Sequence, residues 1–357
     1  MDHIEDNQNE NIDDQNAEQK SEEPTTNTVD TSEEAINFEN RIDLSELQAG
    51  INLIKTEISK VIVGQKPMID MLIASILANG HSLIEGVPGV AKTISAKLLA
   101  RSLDIGFSRI QFTPDLMPSD ILGTSVFDLK SSEFEFKEGP IFSNMILIDE
   151  INRAPAKTQA ALFEVMEERQ ITIDGHKYAM DLPFIVLATQ NPIEQEGTYR
   201  LPEAQLDRFL FKIDIDYPNL DEEIEILNRE HDLKGGLKTD QIKSHLSKDQ
   251  ITKFQGLVNE IIIESHLMKY IADIIVSTRN NPFLYLGASP RASIAILKAS
   301  KAFAAMQGRD FVTPEDIKQA AIPVLQHRVI VTPEREMEGV TTKQIINQII
   351  EAVEIPR

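Results

Sequence analysis

Residues 81–93 of this 357-residue chain read His81-Ser82-Leu83-Ile84-Glu85-Gly86-Val87-Pro88-Gly89-Val90-Ala91-Lys92-Thr93. A short run typical of a buried strand leads directly into a glycine-containing loop, and a helical pattern follows through about Arg101. Strand, glycine loop and helix are the context of a phosphate-binding P-loop, in which backbone N–H groups and the helix N-terminus face the phosphates. The sequence therefore predicts a nucleotide site in an α/β protein.

Three residues of the loop carry specific expectations. Lys92 would reach the β- and γ-phosphates of ATP, and the Thr93 hydroxyl would hold Mg²⁺. Ala91 stands where the general P-loop pattern has glycine. Because its methyl group restricts φ, we expect Ala91 to have a right-handed backbone conformation. The predicted nucleotide contacts in this region are Gly86, Val87, Pro88, Gly89, Val90, Ala91, Lys92, Thr93 and Ile94.

A second motif follows at residues 145–150, where an apolar run ends in the acids Asp149 and Glu150. Such a run is typical of a central strand of a parallel sheet, buried on both faces, with its acids at the carboxyl edge where ligands bind. Asp149 would hold Mg²⁺ through water, and Glu150 would polarise the attacking water. Paired acids at a strand end can also be solvated loop residues, but the P-loop upstream favours the catalytic interpretation.

The remaining patterns predict the architecture. Further strands are expected at 107–112, 184–189 and 209–215, a helix at 156–169, and a hairpin at 170–178 with Asp174-Gly175 at its turn. Before the P-loop, an apolar stripe from Leu47 to Ile62 predicts a helix that Gly64 ends, and a second helix is expected at 68–79. Five strands with crossover helices predict a three-layer αβα core.

After residue 218 the strand patterns stop, so the rest of the chain is expected to be helical. Helices are predicted at 221–231, 248–261, 266–277, 290–306, 314–325 and 342–353. We therefore divide the chain into an acidic tail (1–40), a nucleotide-binding core (41–218) and a helical lid (219–357).

Composition narrows the functional classes. The net charge is −22, of which residues 1–40 contribute −12, and that segment has no periodic apolar face. We expect it to be disordered, as a solvating tail or as a docking segment for a basic partner. The absence of cysteine excludes disulfides and thiolate chemistry, and the seven histidines show no metal-binding spacing. No apolar run is long enough for a membrane span and we find no secretion signal, so we expect a cytoplasmic protein. The metal that we expect it to use is Mg²⁺.

Five phrases, in this order, resemble the MoxR family of AAA+ ATPases. They are the P-loop Gly86–Thr93, Ile148-Asp149-Glu150-Ile151-Asn152-Arg153-Ala154, Ala188-Thr189-Gln190-Asn191-Pro192, Leu201-Pro202-Glu203-Ala204-Gln205-Leu206-Asp207-Arg208-Phe209 and Ser289-Pro290-Arg291. The resemblance covers roughly residues 45–335, and in that family alanine is usual before the P-loop lysine. It implies an AAA+ αβα sandwich with a five-stranded parallel sheet, followed by an all-helical lid domain.

The resemblance also implies residue roles. Asn191 is similar to the sensor residue that orients the attacking water, and Arg291 to the second sensor at a lid-helix start. Arg208 is similar to the arginine finger that reaches the nucleotide of a neighbouring subunit, with Arg200 and Arg153 as competitors for that role. Gly64 and Gln65 match the segment that lines the adenine pocket. A shared site makes a ring, most often a hexamer, the expected working form.

Three functions follow as alternatives. The first is an ATP-hydrolysing, chaperone-like remodeller, which in this family typically acts with proteins that carry von Willebrand factor A domains. The second is a nucleotide-regulated switch with little turnover. The third is a nucleic-acid motor, which the acidic charge opposes because phosphate backbones are repelled. The segment 111–140, in which Phe134-Glu135-Phe136 alternates like a hairpin strand, and the 170–178 hairpin are candidate substrate contacts, or loops that pack on the core.

Overall fold

The computed structural model describes residues 42–87, 89–192, 198–233 and 242–355. The predicted acidic tail and Pro88 of the P-loop lie outside these residues. The strands are β1 (His81–Gly86), β2 (Phe107–Gln111), β3 (Gly123–Asp128), β4 (Glu133–Glu138), β5 (Met145–Asp149), β6 (Gln170–Ile173), β7 (His176–Ala179), β8 (Ile185–Gln190), β9 (Phe209–Ile215), β10 (Leu284–Leu286) and β11 (Ile330–Val331).

The helices of the core come first along the chain. They are α1 (Ser45–Ser59), α2 (Lys66–Leu77), α3 (Lys92–Ser102), α4 (Pro118–Leu122), α5 (Ala156–Glu168) and α6 (Glu203–Leu206). The later helices are α7 (Leu220–Leu233), α8 (Lys248–Glu260), α9 (Ser265–Arg279), α10 (Pro290–Met306), α11 (Pro314–Leu325), α12 (Pro333–Met337) and α13 (Thr342–Ala352). The predicted boundary at residue 218 falls in the connection between β9 and α7.

The central sheet has the strand order β2-β5-β8-β1-β9, and every neighbouring pair is parallel. All five residues of β5 are buried, as its unbroken apolar run predicts. Because side chains alternate across a strand, Met145 and Leu147 pack in one core cluster with α1, α2 and α3. Ile146 and Ile148 pack in a second cluster with α5 on the other face. The predicted three-layer αβα core is confirmed.

Two antiparallel hairpins are inserted into the core. The β6–β7 hairpin has Asp174 and Gly175 at positive φ in its turn, as the sequence predicts. In the 111–140 segment, β4 contains Phe134 and Phe136, and it pairs with β3. The expectation of a hairpin strand at residues 134–136 is confirmed, and its partner β3 is added by the structure.

The expectation of a wholly helical lid is wrong in one respect. Strands β10 and β11 form a small antiparallel sheet, with Leu284 opposite Val331. Strands of three and two residues are too short to show an alternating pattern, and their pairing joins distant parts of the chain. The first helix also differs from expectation, since α1 ends at Ser59 and Ile62 lies beyond it. In the described part of the chain, no helix is long and apolar enough to cross a membrane.

Candidate active site

The P-loop connects β1 to α3, as predicted. Gly86 ends β1 beside β9, and a Cβ atom there would lie 2.9 Å from the Ile215 carbonyl oxygen. That approach is too close for any side chain, so the position requires glycine. The Lys92 ammonium donates to the Gly86 carbonyl oxygen over 2.6 Å, which places the charge over the loop. Lys92 is also the first residue of α3, and Thr93 follows it in the first turn.

The expected right-handed conformation of Ala91 is wrong. Ala91 has φ 62° and ψ 18°, a left-handed conformation, and it is the N-cap residue of α3. The chain has to turn from the loop into the helix at this residue, and the surrounding structure enforces the turn although an alanine methyl group makes it cost ~1–2 kcal/mol. The Ala91 methyl group is partly buried against the core cluster that contains Val90, as is Ile94.

The first acid of the second motif, Asp149, is the last residue of β5 and is 7% exposed. Its Oδ2 lies 2.6 Å from Nε of Arg109 on β2. Its Oδ1 accepts a hydrogen bond of 3.2 Å from the hydroxyl of Thr189 on β8. The carboxylate is thereby held between the two strands that flank β5.

The second acid, Glu150, follows β5 directly and has a left-handed backbone with φ 58°. Its N–H donates to the Thr189 hydroxyl over 3.1 Å. Its Oε2 accepts a 2.7 Å hydrogen bond from Nε2 of Gln111 and lies 3.1 Å from Nε of Arg153. Both acids are therefore aimed by partners from neighbouring strands and by the turn that follows β5.

Strand register brings the predicted residues to one edge of the sheet. Ile148 of β5 pairs with Ala188 of β8, and Ile84 of β1 pairs with Thr189. The P-loop after β1, the acids after β5 and Asn191 after β8 consequently meet at the carboxyl edge of three adjacent strands. Asn191 is 8% exposed. This edge is where ligands of open parallel sheets bind.

A cavity of about 210 Å³ lies beside the loop and is mostly apolar in lining. Its walls include Gly89, Ala91 and Ile94 from the P-loop side, and Gln65 from the connection between α1 and α2. Gln65 has a left-handed backbone with φ 54°. Gly64 has φ 66° and lines an adjacent cavity of about 590 Å³ instead. The cavity of about 210 Å³ has the position and lining expected for a nucleotide base, and we call it the base cavity.

The donor groups at the carboxyl edge fit a magnesium ion. Carboxylate and hydroxyl oxygens are the ligands that Mg²⁺ prefers, and Asp149 and Thr93 supply one of each. Among the described residues, no cluster of three or more His, Asp and Glu side chains could hold a metal ion. A magnesium ion at this edge would accordingly take most of its ligands from phosphate oxygens and water, as such ions usually do.

Comparison with known proteins agrees with this geometry. Residues 81–211 match the ATPase family associated with various cellular activities (AAA), and residues 276–349 match the AAA lid domain. The chain is 41% identical over 310 residues to the chaperone MoxR1 of Mycobacterium tuberculosis, which covers 84% of this chain and 81% of that protein. The chain belongs to the MoxR family of AAA+ ATPases.

Two further relatives of this MoxR-family ATPase span most of its length. YeaC, an uncharacterized protein of Bacillus subtilis, is 44% identical over 299 residues, which are 84% of this chain and 92% of YeaC. A solved structure from Cytophaga hutchinsonii, described as a candidate ATPase, is 44% identical with a TM-score of 0.81. It covers 87% of this chain, and 97% of that chain is matched. The similarity thus includes both the core and the lid.

The MoxR-family arginines lie elsewhere in the molecule. Arg208 directly precedes β9, and β9 runs parallel to β1, so Arg208 lies at the amino edge of the sheet. Seven strand residues separate it from the carboxyl edge, a distance of roughly 20 Å. Arg291, in the first turn of α10, also lies at the amino edge, because both guanidinium groups contact Glu167 of α5. The structure therefore does not bring Arg208 or Arg291 to the subunit's own P-loop.

The two competing arginines are placed differently. Arg153 lies beside Glu150 at the carboxyl edge of the same subunit. The Arg200 side chain is 87% exposed and lies 3.9 Å from Glu203. Arg208 is the one of the three that lies at the amino edge with its guanidinium partly buried.

Several residues of the site have no signal in the sequence. Arg109, Gln111 and Thr189 contact the two acids; Arg109 and Gln111 lie outside the recognised motifs, and Thr189 lies within one of them but has no role assigned from the sequence. Helix α7 covers the base cavity with Ile226, Arg229 and Glu230, although it follows the P-loop by more than a hundred residues. Only register and packing bring these side chains to the site.

Proposed function

We propose that this MoxR-family ATPase binds ATP in the P-loop and hydrolyses it to ADP and phosphate with Mg²⁺. The proposal is carried by one observation, the convergence of Lys92, Asp149, Glu150 and Asn191 at the carboxyl edge beside a cavity of the right position for a base. Phosphoryl transfer to water requires positioning and charge stabilisation more than covalent chemistry, and these residues supply both.

Each residue has a separate task in this proposal. Backbone N–H groups of the loop and Lys92 hold the phosphates, while Thr93 and Asp149 hold the magnesium ion. When bound, the ion neutralises charge on the β- and γ-phosphates. Glu150 polarises the attacking water, and Asn191 orients it. The hydrogen bond from Gln111 supports this role by fixing where the Glu150 carboxylate lies.

The active site is completed by a neighbouring subunit. Arg208 and the P-loop lie at opposite edges of the sheet, so Arg208 can stabilise the transition state only at the nucleotide of another copy of the chain. Such an arginine is worth roughly 10³ to 10⁵ in rate. A closed ring, for which we propose six subunits, gives every site a neighbour.

The product of this cycle is mechanical work on a partner protein. Closure of lid on core with ATP, and release after hydrolysis, would remodel or activate a client in the manner of a chaperone. The β3–β4 hairpin exposes apolar side chains, with Leu129 at 86% and Phe134 at 74%, and it is joined to the β6–β7 hairpin by a hydrogen bond from Ser125 to Asp174. We assign these joined hairpins as the client contact and a von Willebrand factor A domain protein as the partner. The cytoplasmic location stays a prediction.

Two substitutions test the ATPase assignment. Lys92→Ala should abolish ATP binding, because the loop loses its only cation reaching the phosphates. Glu150→Gln should keep ATP bound while lowering hydrolysis at least a hundredfold, because the amide cannot polarise water as a carboxylate does. Binding of a fluorescent ATP analogue and steady-state phosphate release separate the two effects. Native hydrolysis by the Glu150→Gln variant would refute the assignment of Glu150.

The alternative is a nucleotide-regulated switch with little turnover. The intact Glu150, Asn191 and Arg208 argue against it. The same two assays decide between the functions. If the protein is a switch, the native chain binds ATP but shows negligible phosphate release at any subunit concentration.

A further inference from the structure

We propose that Glu167 is a positioning residue that holds Arg208 and Arg291 together as one unit for the nucleotide of the neighbouring subunit. This inference rests on the proposed function, because the placement of the two arginines matters only if the active site is shared between subunits. Its experiment is therefore built so that failure of the shared site and failure of the Glu167 role give different results.

The Glu167 carboxylate bridges two arginines from different parts of the chain, with one oxygen on each. Glu167 is the penultimate residue of α5, and its Oε2 lies 2.9 Å from Nη2 of Arg208. Its Oε1 accepts a 2.8 Å hydrogen bond from Nη2 of Arg291. Arg208 belongs to the core and Arg291 to the lid. One carboxylate thus fixes the tip of each arginine relative to the other.

The main chain next to Arg208 is anchored, so the contacts with the Phe163 carbonyl oxygen and with Glu167 direct its guanidinium group. Asp207 forms a 2.6 Å ion pair with Arg328, whose side chain is 3% exposed. Arg328 also donates to the Asp207 carbonyl oxygen over 2.9 Å, and Ser289 donates to the Asp207 carboxylate over 3.0 Å. Burial lowers the pKa of Arg328, and the hydrogen bond to Asp207 opposes that shift. The main chain before Arg208 is therefore anchored to the lid.

Charge balance also requires an acid at this place. Arg208 and Arg291 bring two positive charges to one carboxylate, and Arg291 also acts on the pKa of the nearby Arg328. Without Glu167 the two guanidinium groups would repel each other and move apart. A glutamine at this position is neutral and has one acceptor oxygen, so it could not give each arginine its own charge-assisted contact.

The contact leaves donors available for a phosphate. Arg208 donates from Nη1 to the Phe163 carbonyl oxygen and from Nη2 to Glu167. A guanidinium has five N–H groups, and each Nη nitrogen carries two. With 28% of its side chain exposed, Arg208 keeps a second N–H on each Nη nitrogen for a ligand from a neighbouring copy.

The test uses mixed assemblies. Arg208→Ala subunits keep their own P-loop but lack the finger, and Lys92→Ala subunits keep the finger but lack nucleotide binding. Mixing them should restore hydrolysis at interfaces where an intact site meets an intact finger. Adding Glu167→Gln to the Lys92→Ala subunit, which donates the finger, should lower this recovered activity about tenfold to a hundredfold, because small misplacements of a catalytic group cost that much. Adding it to the Arg208→Ala subunit should change nothing.

A matched control lies one turn earlier on α5. Glu164 is exposed and lines the same cavity of about 180 Å³ as Glu167 and Arg208. Within the described residues, Glu164 makes no ion pair with either arginine. Glu164→Gln in the finger donor should therefore leave the recovered activity unchanged. Glu167→Asp in the donor should recover part of the loss, since the charge remains on a shorter side chain.

Each result has a separate meaning. Absence of recovery in the reference mixture overturns the shared site and this inference with it. Recovery that Glu167→Gln in the donor leaves intact, or increases, overturns the Glu167 role alone. An equal loss when the substitution is in either subunit overturns it as well, because a general folding defect does not distinguish donor from acceptor.

Discussion

Gln65, Ala91 and Glu150 have left-handed backbones, with φ of 54°, 62° and 58°, although none of them is glycine. Each such conformation costs ~1–2 kcal/mol and persists only where the surrounding structure enforces it. All three residues line the candidate site: Gln65 and Ala91 at the base cavity, and Glu150 at the carboxyl edge. At the residue scale, strained backbone conformations at the site orient the backbone and side-chain groups that line it.

A buried histidine predicts how stability depends on pH. Nδ1 of His81 accepts a 3.0 Å hydrogen bond from the Val186 N–H, and Nε2 lies 3.1 Å from the Met166 carbonyl oxygen. This arrangement requires the neutral ring with its proton on Nε2. Burial lowers the pKa of His81 to about 4, from the ordinary value of 6.5. The unfolded chain therefore binds a proton between pH 6.5 and 4 that the folded chain does not.

The expected result is a loss of stability on acidification. As the pH falls from 6.5 towards 4, the free energy of unfolding should fall by up to ~1.4 kcal/mol per pH unit on account of His81. His81→Gln replaces the imidazole with a side chain that does not titrate and should remove this part of the slope. Urea unfolding at several pH values measures it, with His176→Gln, an exposed histidine on β7, as the control. An unchanged slope in His81→Gln would contradict the account.

At the element scale, α7 closes the base cavity from a distant part of the chain. Ile226 lines the cavity, while its neighbour Leu227 is 66% exposed and is absent from that lining. Ile226→Ala should weaken ATP binding roughly threefold to tenfold, because about 1 kcal/mol of apolar contact with the base is lost. Leu227→Ala should bind as the native chain does. Titration with a fluorescent ATP analogue checks both, and equal affinities for the two variants would exclude α7 from the base site.

The elements also show what the sequence could predict. The strands of the central sheet, the β6–β7 hairpin and the lid helices follow from local periodicity and turn residues, which a sequence displays directly. The β10–β11 sheet was missed because its strands are short and pair across a long separation. The contacts of Arg109 and Thr189 with Asp149 were missed for a related reason, since only the register of β2 and β8 against β5 brings these side chains together. The conformation of Ala91 depends on its surroundings and not on its own preference.

At the scale of the whole molecule, the lid contacts the core along the length of β9. The buried Arg328 holds Asp207 just before the strand, and Lys343 of α13 forms a 2.7 Å ion pair with Asp214 near its end. The strand that carries Arg208 at one end also packs beside the P-loop at the other. A movement of the lid would therefore act on both ends of β9. In the proposed shared site, this would link nucleotide binding in one subunit to the Arg208 that we propose acts on its neighbour.

The central claim is that the active site is shared between subunits. Steady-state ATP hydrolysis per subunit, measured over a wide range of protein concentrations with Mg²⁺ and beside light-scattering mass, tests it most directly. We predict that specific activity rises together with mass as assemblies form, and that Arg208→Ala assembles in the same range without gaining activity. Full specific activity at dilutions where the mass is that of a single chain would contradict the claim.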